Sequence, residues 1–309
     1  MTSLNSCREV NGELIHVSLE SSAVNHDQPI HLRPTTTLAE RVLLPGDPGR
    51  ALALAQFLLE QPLMFNHHRG LWGYTGTAAD GEPLTIQSTG MGGPSAAIVL
   101  HELISLGVCR AIRVGTCGAL DAALGLGDLV VAREALAADG TSAALTSVAM
   151  TGPESEAPVR TGISTGTRAR TGMGTRARAS TPGQANARAH TRTRAHAGLT
   201  DRLNHTLDGY ARKAHRDATI VSTDLFYESR SGESGSGRRG EWSAAGAIAV
   251  EMEASALFAV GASAGIQVAC VLAVTDTFDA DGARTRIDDH ALVGAVEAMG
   301  TAAAAALAV

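Results

Sequence analysis

The sequence predicts a layered α/β protein, on two grounds. Between Arg41 and Ala132, apolar segments follow in the order strand, loop, helix, strand, the pattern of chains that lay helices over a sheet. Aromatic residues make up only 3% of the 309 residues, while alanine and glycine are abundant, so the interior is built from small and aliphatic side chains packed closely.

Residues 1–28 are polar and weakly periodic and read as a flexible N-terminal extension; residues 29–309 read as one domain. Arg41-Val-Leu-Leu-Pro45 has the character of a buried strand, Gly46-Asp-Pro-Gly-Arg50 of a loop, and Ala51 to Glu60 of a helix. Tyr74–Ala78 and Leu84–Gln87 form a hairpin around the turn pair Asp80-Gly81. Pro94 to Leu106 places Ile98, Val99, Leu103 and Leu106 at helical spacing, with Gly107 just past the end. A strand at Ala111–Val114, a glycine-rich loop and a strand at Asp128–Ala132 follow.

At about 140–198 the composition shifts to Thr, Ala, Gly and Arg, and Thr-Arg-Ala-Arg at 167–170 recurs at 175–178. Such a segment buries too little apolar surface to offset its conformational entropy, which predicts a disordered insertion. Its arginines, among them Arg160, Arg168, Arg170, Arg176, Arg178, Arg192 and Arg194, suit a solvated spacer or contact with a polyanion such as RNA. A helix from Leu199 to about His215, a strand at Ala218–Val221 and a flexible stretch from Ser229 to Gly240 come next. A glutamate-bearing apolar segment then opens into a helix through Ala264. The strand Gln267–Val274 stops at Thr275-Asp276, and a helix from Ile287 to Ala308 closes the chain.

A net charge of −6 argues against a general nucleic-acid binder and favours small-molecule chemistry. The four cysteines, Cys7, Cys109, Cys117 and Cys270, lack the short paired spacings of a zinc or redox site, so no metal is expected. Those thiols fit a reducing cytosol. With no basic-then-apolar leader and no apolar run long enough to span a bilayer, a cytoplasmic protein without a membrane partner is expected.

Four places carry chemistry. Glu251 and Glu253 sit in the apolar run Ala247-Ile-Ala-Val-Glu-Met-Glu-Ala254, where an unpaired carboxylate is costly to desolvate and a specific donor such as a ligand hydroxyl is called for. Arg113, between Ile112 and Val114, needs a counter-anion, either a buried carboxylate or a bound oxyanion brought close by Thr116 and the neighbouring glycines. Arg50 stands at the predicted start of a helix, whose free N–H groups favour an anion. Asp276, at the carboxyl end of an apolar strand, reads as a general acid or as a turn cap. The loop Ser88-Thr-Gly-Met-Gly-Gly-Pro94 is no dinucleotide fingerprint. Ser95 stands where the third glycine belongs, and the next strand carries Arg113 in place of an acidic ribose ligand.

Together and in this order, several segments resemble the nucleoside phosphorylase family, which includes hexameric purine nucleoside phosphorylases, uridine phosphorylases and archaeal methylthioadenosine phosphorylases. They are Leu44-Pro-Gly-Asp-Pro-Gly-Arg50, Asn66 to Gly76 with Arg69-Gly70, Thr89 to Gly107, Arg113-Val-Gly-Thr-Cys-Gly118, Ser222 to Tyr227, Val250-Glu-Met-Glu-Ala254 and Thr275-Asp276. The resemblance covers most of 29–139 and 199–290. It implies a three-layer fold with a central mixed β-sheet flanked by helices.

It also implies a site. Gly46, Arg50, Arg113 and Thr116 would hold inorganic phosphate as co-substrate, with no cofactor, and Arg69 would reach it from the neighbouring subunit. Met252 and Glu253 would hold the ribose hydroxyls with Glu251 beside them, and Met91 would lie against the sugar. Phe226 would stack on the base, and His31, in Pro29-Ile-His-Leu32, would contact the ribose from the adjacent subunit. Asp276 would protonate a purine at N7, with Arg284 or Arg286 as its partner. A site shared in this way implies a dimer-based homo-oligomer, usually a hexamer.

Tyr227-Glu-Ser-Arg-Ser-Gly232 lacks the glutamine of uridine-specific members, so the resemblance leans to purine nucleosides, with uridine or methylthioadenosine as the alternatives. The 140–198 insertion replaces part of the region bordering the base pocket, and a mobile lid is expected at 229–240. The competing readings are a nucleosidase, which would not need Arg50, Arg69 and Arg113 together, and a non-catalytic protein that binds a partner through its Arg-rich insertion.

Overall fold

Along Arg41–Leu44 the side chains alternate, Val42 and Leu44 entering one buried cluster and Leu43 another, so this short strand already separates two layers of helices. The structure is a computed structural model and describes residues 5–10, 13–18, 29–150, 191–209, 213–227, 235–279 and 283–308. The strands and helices run β1 (Asn5–Val10), β2 (Glu13–Ser18), β3 (Arg41–Leu44), α1 (Pro48–Leu58), β4 (Glu60–Asn66), β5 (Gly73–Thr77), β6 (Pro83–Gln87), α2 (Gly93–Ser105), β7 (Arg110–Ala119), β8 (Leu129–Ala138), α3 (Gly140–Met150), β9 (Arg192–Arg194), α4 (Ala197–Thr206), β10 (Ala214–Thr223), α5 (Gly235–Ala244), β11 (Ala249–Glu251), α6 (Ala254–Ala264), β12 (Gln267–Phe278), β13 (Arg284–Arg286) and α7 (Asp289–Leu307).

Among the described residues, eleven strands form one mixed sheet in the order β13-β12-β8-β10-β11-β7-β3-β6-β5-β4, with β9 added on β8. β12 also pairs with β7, so β7, β12, β8, β10 and β11 close into a ring. On one face, Val99, Leu100, Leu103, Leu257, Phe258 and Val260 pack from α2 and α6; on the other, Leu54, Leu203, Met299 and Leu307 pack from α1, α4 and α7. This is the three-layer arrangement, a mixed sheet flanked by helices. α7, at 19 residues, is long and apolar enough to cross a membrane by length and composition, yet it buries Met299, Ala302, Ala303, Ala306 and Leu307 in the second cluster.

The helix ends follow from local chemistry. Asp47 caps α1 by accepting from the Arg50 N–H at 2.6 Å, and Pro48 enters the first turn where its missing N–H costs nothing. Asp288 caps α7 through the Ala291 N–H at 2.8 Å.

The structure departs from the sequence-based elements in places. The loop expected at Gly115–Gly118 is strand, because β7 keeps pairing with β12 through Gly118 and with β11 beyond it. β12 does not stop at Thr275-Asp276 but continues to Phe278, where β13 pairs with it. The helix expected to reach His215 ends at Thr206, and His215 is already strand, opposite Val130.

Gly140–Met150, expected to be disordered, is helix, while residues 151–190, with Arg160, Arg168, Arg170, Arg176 and Arg178, lie outside the described residues. Arg192 and Arg194 belong to β9 and form ion pairs with Glu134. Within the stretch expected to be flexible, residues 235–240 are helical and 229–234 lie outside the described residues. In the N-terminal segment expected to be flexible, β1 and β2 pair antiparallel, with Val10 opposite Glu13.

α6 ends at Gly265 in the left-handed conformation, φ 70 and ψ 26, and an added Cβ there would meet nothing within 4 Å. Backbone strain alone therefore sets the cost of a side chain. Gly265→Ala is expected to lower stability by about 1 kcal/mol in urea unfolding; an unchanged midpoint would contradict this account of the helix end.

Candidate active site

Arg113 is 3% exposed and sits on β7 among the residues that face α2 and α6. A guanidinium that deep needs both room and countercharge. The room comes from Gly115, where an added Cβ would lie 2.8 Å from the Arg113 guanidinium carbon. The countercharge comes from β11 and the start of α6. Arg113 Nε donates to Glu251 Oε2 at 3.0 Å, and Nη2 donates to Glu253 Oε2. Burial opposes its charge, but Glu253 and Glu251 outweigh it and hold the guanidinium above its ordinary value. Nη1 is buried and, among the described residues, has no hydrogen-bond partner. It lies against Gly46, whose added Cβ would be 3.9 Å from it.

The two glutamates have different work. Glu251 takes hydrogen bonds from Ser222 Oγ, from Arg113 Nε, from the Glu253 N–H at 2.8 Å and from the Ala254 N–H at 3.0 and 3.1 Å to its two oxygens. Protein donors surround both oxygens, so Glu251 positions Arg113 and the first turn of α6. Burial pushes its carboxyl up, Arg113 holds it down and Glu253 adds to the rise, with a net shift upward. Glu253 stands at the start of α6 and accepts from the Gly92 N–H at 2.5 Å as well as from Arg113. That leaves it lone pairs toward the cavity, which it lines.

The cavity has a volume of about 550 Å³, within the usual range for a small-molecule site. At one end it is walled by Gly46, Asp47, Arg50, Gly90 and Arg113, beside the N-terminus of α1. Arg50 has no side-chain partner among the described residues; burial lowers its pKa, partly offset by Asp47, and nearby Arg113 lowers it further. A buried orphan donor, an unpaired guanidinium and a helix N-terminus converge here, which is the chemistry of an oxyanion seat. Arg69, exposed and held at φ 59, lines this chain's own cavity, where the resemblance implied a neighbour's.

Met91, Met252 and Thr116 also line it, as do Leu225, Phe226, Thr223, Arg239, Trp242, Val250 and Thr275. Phe226 is 55% exposed and meets Tyr227 edge to face at 5.0 Å.

Asp276 is buried and is not among the cavity-lining residues; its neighbour Thr275 is. Arg284 Nε donates to Asp276 Oδ1 at 2.7 Å, and Thr275 Oγ1 donates to Oδ2 at 2.8 Å. Between the two candidate partners it is therefore Arg284 that holds the aspartate, although Arg286 is the residue paired with it in backbone register. Arg284 also stands 5.1 Å from the centre of the Phe226 ring.

His31 lies away from the cavity lining. Its Nδ1 meets Glu102 Oε1 at 2.7 Å, and the same carboxylate accepts from the N–H groups of Ile30, His31 and Leu32. A carboxylate only accepts, so Nδ1 carries the proton and Nε2 faces elsewhere. Sequence reasoning missed Gly92, Ser222, Arg239 and Trp242. Trp242, one of only two tryptophans, was the available signal.

The chain matches the phosphorylase superfamily over residues 40–309. A DeoD-type purine nucleoside phosphorylase from Clostridium beijerinckii is 32% identical over 253 residues, 81% of this chain and 86% of that protein. The DeoD-type purine nucleoside phosphorylase from Oceanobacillus iheyensis is 48% identical over 99 residues, a match that spans 32% of this chain and 42% of that relative. Among solved structures, uridine phosphorylase from Vibrio fischeri ES114 in complex with 6-hydroxy-1-naphthoic acid superposes with a TM-score of 0.64 at 24% identity, covering 87% of this chain and 90% of the other, a likeness of fold.

Burial raises the Glu102 carboxyl, but hydrogen bonds from His31 and the N–H groups of residues 30–32 outweigh it and bring it below the ordinary 4.5. A depressed folded value means that the stability it contributes is present above that ordinary value and is lost as pH falls through the folded one. Glu102→Gln is expected to cost about 1–2 kcal/mol at pH 7, with the gap to wild type closing in acid. An equal gap at pH 7 and pH 3 in chemical denaturation would contradict this.

Proposed function

Since this chain belongs to the phosphorylase superfamily, among its nucleoside phosphorylases, we propose that it cleaves purine nucleosides with inorganic phosphate, giving the free base and ribose 1-phosphate. The observation that carries the reading is the unpartnered Arg113 Nη1, buried beside Arg50 and within one side chain of Glu253. An anion seated there lies next to the carboxylate suited to sugar hydroxyls. A nucleosidase, attacking with water, has no need of that arrangement.

In this reading Arg113, Arg50, Arg69, Thr116 and the Gly46 backbone hold phosphate, and one of its oxygens attacks the anomeric carbon as the glycosidic bond breaks. Positive charge gathers on the sugar through an oxocarbenium-like state, and Glu253, accepting from the ribose hydroxyls, holds the ring with Met91 and Met252 against it. Glu251 keeps Arg113 and the α6 terminus in place. The electron pair of the broken bond passes to the base, which stacks on Phe226 and takes a proton at N7 from Asp276, steered by Arg284. That Asp276–Arg284 pair, together with the missing glutamine in 227–232, supports purine over pyrimidine substrates.

The co-substrate is phosphate and no cofactor enters the scheme. A dimer-based assembly, a hexamer in its fullest form, with His31 serving a neighbouring site, and a cytoplasmic location complete the proposal.

A base-release assay across inosine, adenosine, guanosine, methylthioadenosine and uridine, with and without phosphate, tests it. Purine nucleosides should be cleaved only with phosphate, yielding ribose 1-phosphate. Equal rates in phosphate-free buffer would mark a nucleosidase, and turnover of uridine alone would overturn the base assignment. Arg50→Ala should raise the KM for phosphate by about tenfold or more, equivalent to roughly 1.4 kcal/mol per tenfold. Asp276→Asn should lower purine kcat by about a hundredfold with phosphate KM little changed; equal losses in both would remove Asp276 from the acid role.

A further inference from the structure

Arg69 is held at φ 59 and ψ 19, in the left-handed region, and Gly70 follows at φ 71. Glycine takes up such a conformation without strain, and other residues do not. An added Cβ at Gly70 would meet nothing within 4 Å, so glycine is there for its backbone alone. The position before it is also left-handed and yet keeps an arginine. Strain retained at one residue of a turn points to a side chain that is needed there. Arg69 is exposed, lines the cavity and has no hydrogen-bond or ion-pair partner among the described residues. Its direction is therefore set by the backbone beneath it.

Asn66, fully buried at the end of β4, fixes that backbone. Its Nδ2 donates to the Leu71 carbonyl at 2.5 Å and to the His68 carbonyl at 3.4 Å, and its Oδ1 accepts from the His68 N–H at 3.3 Å. One amide thus grips the turn on both sides of Arg69. The Leu71 carbonyl also accepts from Gln87 Nε2 at 3.0 Å, which anchors the turn to β6. Asn66 Oδ1 takes a second bond from the Arg33 N–H at 2.9 Å, and His68 Nδ1 donates to the His31 carbonyl at 3.1 Å, so the segment before β3 is tied to the same turn. Both donors and both lone pairs of the Asn66 amide are used within the protein, which leaves it nothing for a ligand.

We propose that Asn66 is a positioning residue: by holding the turn 67–71 it keeps the Arg69 guanidinium at the cavity and sets phosphate affinity through it. The inference rests on the phosphorolysis reading for the identity of the anion, while the clamp itself stands on the hydrogen bonds of one buried amide. Without that amide the turn is free to leave the left-handed conformation, and Arg69 loses the preorganised place from which it binds.

Calorimetric titration of inorganic phosphate into the full chain tests this without requiring turnover, using Asn66→Ala, Asn66→Asp, Arg69→Ala and the double variant Asn66→Ala with Arg69→Ala. Asn66→Asp keeps the shape and the Oδ1 acceptor and removes the Nδ2 donors. Each single variant should weaken phosphate by about tenfold. The double variant should be no weaker than Arg69→Ala, because the amide acts through the arginine. In steady state, Asn66→Asp should raise the KM for phosphate with kcat at saturating phosphate little changed. Arg69→Gly leaves Asn66 intact and suits the turn, so it folds whatever the amide contributes. Without phosphate it should melt no lower than wild type, and it should bind phosphate about tenfold more weakly. Losses that multiply in the double variant, a lower melting temperature in Arg69→Gly, or full phosphate affinity in either Asn66 variant would overturn the proposal. If Arg69→Ala and Arg69→Gly lose phosphate while the Asn66 variants keep it, the clamp fails and the phosphorolysis reading stands. A wild type that binds no phosphate would overturn that reading and the role of the clamp with it.

Discussion

Arg113 held between Glu251 and Glu253 is the constraint on which the rest of the site depends. Each of these groups is costly to take out of water alone, and removing one partner from such a buried set commonly destabilises by about 3–5 kcal/mol. The set persists because nearly every lone pair and proton is answered. Ser222 and the first turn of α6 complete Glu251, and the Gly92 N–H reaches Glu253. What is left over is specific: one guanidinium nitrogen and the cavity-facing lone pairs of Glu253. A donor for an anion and an acceptor for hydroxyls stand side by side, fixed by the same network.

The fold brings these groups together by closing part of its sheet. With β12 paired to both β7 and β8, and β11 pairing β10 to β7, the ends of these strands converge, so Gly118, Thr223, Glu251 and Thr275 from four strands line one cavity. The N-termini of α1, α2 and α6 meet at its anion end, through Asp47 and Arg50, Gly92 and Glu253. The helix dipoles therefore add to the attraction of the arginines for an anion.

Much of this was legible in the residues. Glu251, Glu253 and Arg113 stood out because an ionisable group in an apolar run needs a partner, and the partners proved to be one another. Glu251 was harder to place. Only the hydrogen bonds show that its oxygens face protein donors while Glu253 keeps capacity for a ligand. The strand through Gly115–Gly118 was hidden because glycine signals a turn, whereas here Gly115 is small so that Arg113 can lie beside it. α5 was hidden by its Gly and Ser content, and with it Arg239 and Trp242 on the cavity wall. Arg284 and Arg286 are two apart in a strand, a spacing that cannot say which one reaches Asp276 from the neighbouring strand.

The most direct measurement is a crystal structure with inorganic phosphate and no nucleoside. It should show phosphate at the Gly46–Arg50–Arg113 corner, with Arg113 Nη1 donating to one of its oxygens and the Glu251 and Glu253 contacts to Arg113 intact. Phosphate bound elsewhere in the cavity, or an Arg113 that abandons both glutamates to reach it, would contradict the account.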